Sequence, residues 1–179
     1  MKLAMVTFAF CGGIYQKRKY FFQTDLTEND LTKGDFVVVE GPKKDSTTIA
    51  RFIRFIEVDD DFQYGQKKLL KKAHGNTLKS LVQKRRKMFA ELYIKPKVYD
   101  KLREVFPHYA EWTDEAIAKM LVDRLAVAAK QYNAYWKHTR YFYDDMYIAV
   151  RGKTIVDVWL NPINDKITWR PPTQLEKYL

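Results

Sequence analysis

The sequence predicts an α+β protein, and three observations support that prediction. Residues 3–58 are rich in β-branched and aromatic residues separated by short polar turns, as is typical of strands. Apolar residues at helical spacing then run through 111–136. Beyond them, alternating segments between turn residues predict an antiparallel meander. Helices and antiparallel strands segregated along the chain in this way are typical of α+β folds.

The N-terminal part, 1–62, is expected to be a small antiparallel barrel or a strongly twisted sheet. Strands are predicted within 3–10, 20–24, 31–41 and 48–58. Side chains in the predicted strand 48–58 are expected to alternate strictly between its two faces. This puts Ile49, Arg51, Ile53 and Phe55 on one face. The pattern Y-x-F-x-T-D-L, followed by L-x-x-G-D-x-V-V-V and ending at Val39, resembles SH3-like and KOW-type small barrels. That resemblance implies a fold and no functional residue.

One segment accounts for the net charge of +10. Between Gln66 and Arg103, thirteen Lys or Arg residues stand against two acids, and 66–88 holds nine of the thirteen with no acid. Like charges four apart, such as Lys67 and Lys71, oppose a helix by about 0.2–0.5 kcal/mol per pair. A polyanion turns that repulsion into attraction and releases counterions. The segment therefore predicts a surface for an anionic partner.

This segment is expected to be a basic helical bridge, 63–106. Residues 66–73 are predicted to form two helical turns that stop at Gly75, and a second helix follows. Arg85 falls inside the apolar stripe of that helix, so it has to extend outward, pair with an acid or mark a break. Pro96 ends the helix, and a short one is expected before Pro107. The predicted apolar face consists of Leu78, Leu81, Val82, Met88, Phe89, Leu92 and Tyr93.

The C-terminal part, 107–179, is expected to be a long helix followed by an antiparallel β-meander. Thr113 is a typical N-cap, and the acids after it favour the helix dipole. Strands are predicted at 140–150, 154–160 and 165–170, with the first turn at Arg151–Gly152. A short terminal helix is expected to dock through Leu175, Tyr178 and Leu179. The apolar face of the long helix is Ile117, Leu121, Leu125, Ala128, Tyr132 and Trp136.

Nucleic acid is the favoured anionic partner, because cations mixed with aromatics suit phosphate contacts and base stacking. The expected phosphate contacts are Lys67, Lys68, Lys71, Lys72, Lys84, Arg85, Arg86 and Lys87. Tyr93, Tyr99 and Tyr109 are candidates for stacking. The size and the basic patch would suit a phage or mobile-element accessory protein, an interpretation by association. The alternative is an inhibitor or adaptor that docks on an acidic protein or nucleoprotein surface; a membrane is disfavoured because the apolar faces are short.

An enzymatic alternative comes from the order of elements. Helices followed by a small sheet, with Lys137, His138 and Arg140 at the junction, are similar to toxin-type ribonucleases of the barnase and RelE-like group. That resemblance implies a metal-independent ribonuclease in which His138 and Arg140 fill two of the roles of base, phosphate-binding cation and acid, with Tyr141, Tyr143 or Lys137 behind them. The sequence nevertheless favours binding without catalysis, because a His and an Arg at the start of a strand are more often structural. Other catalytic classes are disfavoured because the chain lacks a glycine-rich phosphate loop and a nucleophile elbow.

No cofactor or metal is expected. The three His residues lack zinc-ligand spacing, and the single Cys11 excludes an internal disulfide. The acidic run from Glu57 to Asp61 is interpreted as a solvated loop, since adjacent side chains on an extended chain diverge. The apolar run near the N-terminus is short and is interpreted as a strand, so a cytoplasmic protein is expected.

Overall fold

A computed structural model describes residues 1–8, 19–59, 61–62, 67–133, 137–144, 146–160 and 173–179. The chain divides into two compact units, Met1–Gly75 and Asn76–Leu179. The described residues form two sheets that are mainly antiparallel, together with three helices of ten residues or more. The α+β prediction is therefore confirmed. The segment interpreted as a basic bridge is shared between the two units.

The first unit is a five-stranded sheet in the order β2-β1-β4-β3-β5. Its strands are β1 (Lys2–Phe8), β2 (Tyr20–Gln23), β3 (Phe36–Glu40), β4 (Thr47–Glu57) and β5 (Leu69–Lys72). All neighbouring strands are antiparallel, and one bridge between Gln23 and Lys68 joins the two ends of the sheet. The first four strands were predicted; the fifth was not. The core consists of Ala4, Val6, Phe22, Leu31, Val37, Val39, Ala50, Phe52 and Leu69.

The helix predicted over 66–73 is wrong, because this segment contains strand β5. Leu69 is buried in the core of the first unit, and the backbone from Leu69 to Lys72 pairs with β3. The Glu40 carboxylate also accepts a hydrogen bond of 2.8 Å from the Lys68 backbone N–H. Pairing to an open strand edge outweighs helix propensity here, and a helix would have set the lysines four apart on one face.

A β-bulge breaks the alternation predicted for β4. Met5 pairs with Arg54 and Val6 pairs with Phe52, so one extra residue of β4, Ile53, lies between these pairs. The alternation therefore reverses at the bulge. Phe52 lies in the core and Phe55 packs against it, with ring centroids 4.7 Å apart. The prediction that Phe55 lies on the same face as Ile49, Arg51 and Ile53 is therefore wrong.

The second unit packs helices on one face of a sheet ordered β6-β10-β9-β8-β7. Its helices are α1 (Gly75–Ala90, which starts at the unit boundary), α2 (Pro96–Val105), α3 (Asp114–Val127) and α4 (Thr173–Glu176), with a 3₁₀ turn at Pro107–Tyr109. Its strands are β6 (Tyr93–Ile94), β7 (Ala129–Asn133), β8 (His138–Tyr143), β9 (Met146–Arg151) and β10 (Thr154–Leu160). β6 is parallel to β10, and the other pairs are antiparallel.

Helix α3 begins as predicted and ends earlier than predicted. The Thr113 hydroxyl accepts a hydrogen bond of 3.2 Å from the Ala116 N–H, which confirms the N-cap. The backbone becomes extended at Ala128, and β7 pairs with β8 from Ala129 onward. The predicted helix is therefore wrong from Ala128 to Asn133. Ile117, Leu121, Leu125 and Ala128 are fully buried, as predicted; Trp136 lies outside the described residues.

The meander has one more turn than the sequence indicated. The predicted strand 140–150 is two strands, β8 and β9, because Asp144 takes a positive φ of 48°, a conformation that Asp tolerates in turns. The turn at Gly152 is confirmed, with φ 56°. The predicted strand 165–170 lies outside the described residues. Leu175 of the terminal helix is fully buried, whereas Leu179 is 38% exposed.

Candidate nucleic-acid interface

The lysines of the first unit lie along and before the edge strand β5. Lys72 Nζ is 2.7 Å from the Asp35 carboxylate, and Lys67 Nζ donates to the Gly41 carbonyl. Lys68 and Lys71 are exposed, and among the described residues no carboxylate lies within ion-pair distance of them. Two of the four predicted contacts are thus held by the fold, and two project into solvent.

Asp35 shows how the fold uses Lys72. Its carboxylate also accepts hydrogen bonds from the Thr32 N–H at 2.8 Å and the Thr32 hydroxyl at 3.2 Å. Burial raises the pKa of the Asp35 carboxyl, but the hydrogen bonds from Lys72 and Thr32 together outweigh it, so the pKa lies below its ordinary value. The pair ties β5 to the turn that precedes β3.

Arg85 is directed into the second unit. It lies on the buried side of α1 with Val82 and Phe89, where its Nε donates to the Ala126 carbonyl at 2.6 Å. Its Nη2 donates to the carbonyls of Leu125 at 2.9 Å and Ala128 at 3.1 Å. These carbonyls belong to the C-terminal end of α3, where backbone acceptors lack helical partners and the dipole favours a cation. Arg85 therefore caps α3, and α1 continues without a break.

Burial also affects the ionisation of Arg85. It lowers the pKa of the guanidinium to about 10, which leaves the group charged at neutral pH. The guanidinium lies 5.3 Å from the centroid of the Phe89 ring. The side chain is thus held by carbonyl oxygens and an aromatic face, so it is not directed toward an external phosphate.

Arg86 is also used by the fold. Its Nε lies 2.7 Å from Asp123 Oδ1, although the N–H is not directed at that oxygen, so the two form an ion pair and not a hydrogen bond. Its Nη1 donates to the Leu179 carbonyl at 3.1 Å. Both arginines of the sequence KRRK therefore hold elements of the second unit together.

Lys84 and Lys87 lie on the outward side of α1. Both are exposed, as is Lys79 one turn earlier. No carboxylate among the described residues lies within ion-pair distance of these three ammonium groups. Residues three apart on a helix are neighbours, so Lys84 and Lys87 form a compact pair of positive charges.

A shallow groove runs between α1 and α3. Its volume is about 390 Å³, and it is lined by Gln83, Arg86, Lys87, Ala90, Lys119, Val122 and Asp123. The single carboxylate, Asp123, is paired with Arg86, which leaves Lys87 and Lys119 as an excess of positive charge. The groove therefore suits an anion.

Comparisons of the chain with known family models, curated proteins and solved structures gave no match.

In the ranges that the structure describes, no group of three or more His, Cys, Asp or Glu side chains is placed to hold a metal ion. Across those same ranges, no helix combines the length and the apolar character that crossing a membrane requires.

The aromatic candidates differ in exposure. Tyr93 is 60% exposed, Tyr99 is partly buried, and Tyr109 is 3% exposed within the core, where it cannot stack on a base. Trp112 is 41% exposed and was not among the predicted stacking residues. Its position just before the Thr113 N-cap gave no clear signal, because an apolar residue there often packs against the first turn of the helix.

The residues of the ribonuclease alternative lie together at the start of β8. Lys137 is exposed with a positive φ of 49°, and Arg140 is partly buried. Arg140 Nε donates to His138 Nε2 at 3.4 Å, and His138 is only 8% exposed. An imidazole in this position is poorly accessible to a polymeric substrate.

Proposed function

We propose that this protein binds nucleic acid through the phosphate backbone, without catalysis and with little base discrimination. The observation that carries the proposal is the pair Lys84 and Lys87, exposed on α1 with no carboxylate partner among the described residues. Neutralising phosphates with such lysines releases counterions and supplies affinity that does not depend on sequence. Ammonium groups act as point charges and do not read base edges as a guanidinium fork does.

The proposed contacts form two patches, one in each unit. The α1 patch is Lys84 and Lys87, and the β5 patch is Lys68 and Lys71. Lys67, Lys72, Arg85 and Arg86 are omitted because each is engaged by a carboxylate or by backbone carbonyls. We do not include ribonuclease activity, because His138 is 8% exposed.

Three finer features belong to the same proposal. The first unit is an SH3-like barrel, which its five-strand order and the Gln23–Lys68 bridge between the end strands support. The protein acts in the cytoplasm, where nucleic acid is accessible. It serves as an accessory protein of the kind that phages and mobile elements carry, as its size and local charge suggest.

Salt-dependent binding tests the proposal. Anisotropy titrations of a labelled RNA and a labelled DNA duplex, each of about 20 nucleotides per strand, are repeated at several salt concentrations. We expect affinity to fall steeply with salt, and Lys84→Gln with Lys87→Gln to lower the log–log slope by about 2. The control Lys153→Gln removes an exposed lysine from the β9–β10 turn and is expected to leave the slope unchanged.

Two outcomes contradict the proposal. Binding that is absent, or that has the same salt slope in the double variant and the wild type, removes the lysines from the interface. Weak binding to free nucleic acid, with tight binding to an acidic protein or a nucleoprotein complex, supports the inhibitor or adaptor alternative. Gel analysis of the RNA after titration, with His138→Ala as comparison, detects any cleavage.

A further inference from the structure

We infer that one side of α3 is a binding site for single-stranded nucleic acid, with a phosphate in the α1–α3 groove and a base against Trp112. The inference rests on the proposed function and names its substrate class. All of the residues involved belong to the second unit.

Two adjoining cavities provide the geometry. The groove described above shares Lys119 and Asp123 with a second cavity of about 410 Å³. The second cavity is lined by Trp112, Ala116, Lys119, Met120, Asp123, Arg124, Tyr143 and Leu179. One end of the combined surface is therefore cationic and the other is largely apolar and aromatic. A nucleotide has the same two parts, an anionic phosphate and a flat base.

Contacts within the second unit hold Trp112 in place and leave its ring partly exposed to solvent. Arg103 donates two hydrogen bonds to the Trp112 carbonyl, at 3.2 Å and 2.9 Å, which fixes the backbone. The indole meets Tyr109 edge to face, with ring centroids 4.8 Å apart and planes at 68°. Such a contact occupies at most one face of the indole, and the side chain is 41% exposed. A base can therefore stack on the other face.

The charges at the opposite end favour a phosphate. Lys87 and Lys119 are exposed and have no carboxylate within ion-pair distance among the described residues. Arg86 balances Asp123, so the nearby carboxylate does not cancel the two lysines. Arg124 is already engaged, with its guanidinium 4.8 Å from the Tyr143 ring centroid and a hydrogen bond to the Tyr109 hydroxyl.

The aromatic end selects an unpaired base. In a duplex both faces of each base are covered by its neighbours, whereas a single strand can turn a base onto an exposed indole. Duplex nucleic acid can still use the lysines through its phosphates. The site therefore predicts that Trp112 contributes to binding single strands and not to binding duplex.

The experiment compares three probes on the full chain: a labelled oligothymidylate, a labelled duplex of the same length, and inorganic polyphosphate as competitor. Trp112→Ala is expected to weaken oligothymidylate binding by about 5- to 100-fold. Duplex affinity and polyphosphate competition are expected to stay within about twofold of wild type, because neither probe offers an unpaired base. Lys119→Gln is expected to weaken all three.

Two variants control for indirect effects. Trp112→Phe keeps an aromatic face and is expected to retain most of the oligothymidylate affinity. Trp159→Phe changes a tryptophan that is stacked on Tyr147 with ring centroids 4.8 Å apart, away from the proposed site, and is expected to bind like wild type. If Trp112→Ala lowers the melting temperature, Trp112→Leu replaces it, because leucine keeps apolar volume without a π face. Trp112→Leu is expected to lose as much oligothymidylate affinity as Trp112→Ala.

The possible outcomes separate this inference from the proposed function. Oligothymidylate binding that is unchanged in Trp112→Ala and Trp112→Leu, while Lys84→Gln with Lys87→Gln weakens it, overturns the inference and leaves the proposed function in place. An equal loss for all three probes in the Trp112 variants also overturns it, because the effect is then not stacking. Absence of binding to any probe in the wild type overturns both.

Discussion

Strand β5 carries its lysines along the edge of a sheet, whereas helix α1 carries four consecutive cations around its circumference. In β5 the backbone pairs with β3 on one side, and one lysine, Lys72, forms an ion pair with a carboxylate of the same unit. Lysines on an edge strand also oppose pairing with another chain. The cations of β5 thus have a structural explanation as well as a functional one.

Helix α1 sorts its cations by chemical type. Arg85 and Arg86 contact carbonyls and a carboxylate, while Lys84 and Lys87 are exposed. A guanidinium has several donors in a fixed plane and is weakly hydrated, so it suits the carbonyls at a helix end. An ammonium is strongly hydrated and stays in solvent at low cost. Lys84 and Lys87 thus lack the structural explanation that an edge strand gives the lysines of β5.

The largest expected effect comes from Arg85. Arg85→Met keeps much of the apolar volume but leaves the carbonyls of Leu125, Ala126 and Ala128 without this donor. We expect the free energy of unfolding of the second unit to fall by about 3 kcal/mol, because buried acceptors lose charged hydrogen bonds. Urea denaturation followed by circular dichroism measures it.

Lys84→Met is the matched control for Arg85→Met. It makes the same kind of change one position earlier, on the outward side of α1, and is expected to alter the unfolding free energy by less than about 0.5 kcal/mol. Equal stability of the two variants would break the distinction between inward arginines and outward lysines.

A smaller effect is expected at the paired lysine of β5. Asp35→Asn removes the charge that holds Lys72 at 2.7 Å and weakens the acceptor for Thr32. We expect a loss of about 1–2 kcal/mol in the unfolding free energy of the first unit at neutral pH. Asp25→Asn, at an exposed position, is the control and is expected to change it by less than about 0.5 kcal/mol.

The pH dependence of that loss follows from the sign of the pKa shift. The pKa of Asp35 is lower in the folded chain than its ordinary value of 3.8, so its contribution is complete above that value and disappears as the pH falls through the folded pKa. The stability difference between wild type and Asp35→Asn should therefore shrink between about pH 5 and pH 2. A difference that stays constant over this range would show that the charge of Asp35 does not stabilise β5.

Features set by short-range sequence were predictable. The Thr113 cap, the helix between Pro96 and Pro107 and the turn at Gly152 each depend on residues a few positions apart. Strand β5 was not, because its conformation depends on the open edge of β3, about thirty residues earlier. The bulge at Ile53 likewise reflects pairing with β1 and leaves no mark in the alternation of β4 itself.

The positive charge of the candidate site was predictable from the sequence, but which of its cations are exposed was not. The spacing of apolar residues placed Arg85 on the buried side of α1, but its acceptors are the last carbonyls of α3. The sequence indicated a helix through Trp136, and such a helix would have no free carbonyls near Ala126. Knowing that α3 ends at Val127 was necessary to separate Arg85 from the exposed lysines.

The smallest expected effect on stability comes from the lysines proposed to bind nucleic acid. Lys84→Gln with Lys87→Gln removes two neighbouring like charges that have no carboxylate partner among the described residues. We expect the unfolding free energy to rise by no more than about 0.5 kcal/mol at low salt, and the gain to disappear at about 1 M salt, where the repulsion is screened. Urea denaturation at both salt concentrations measures it. A loss above about 1 kcal/mol would mean that the fold itself uses these ammonium groups. They would then resemble Arg85 and Arg86, and the α1 patch would no longer be available to a partner.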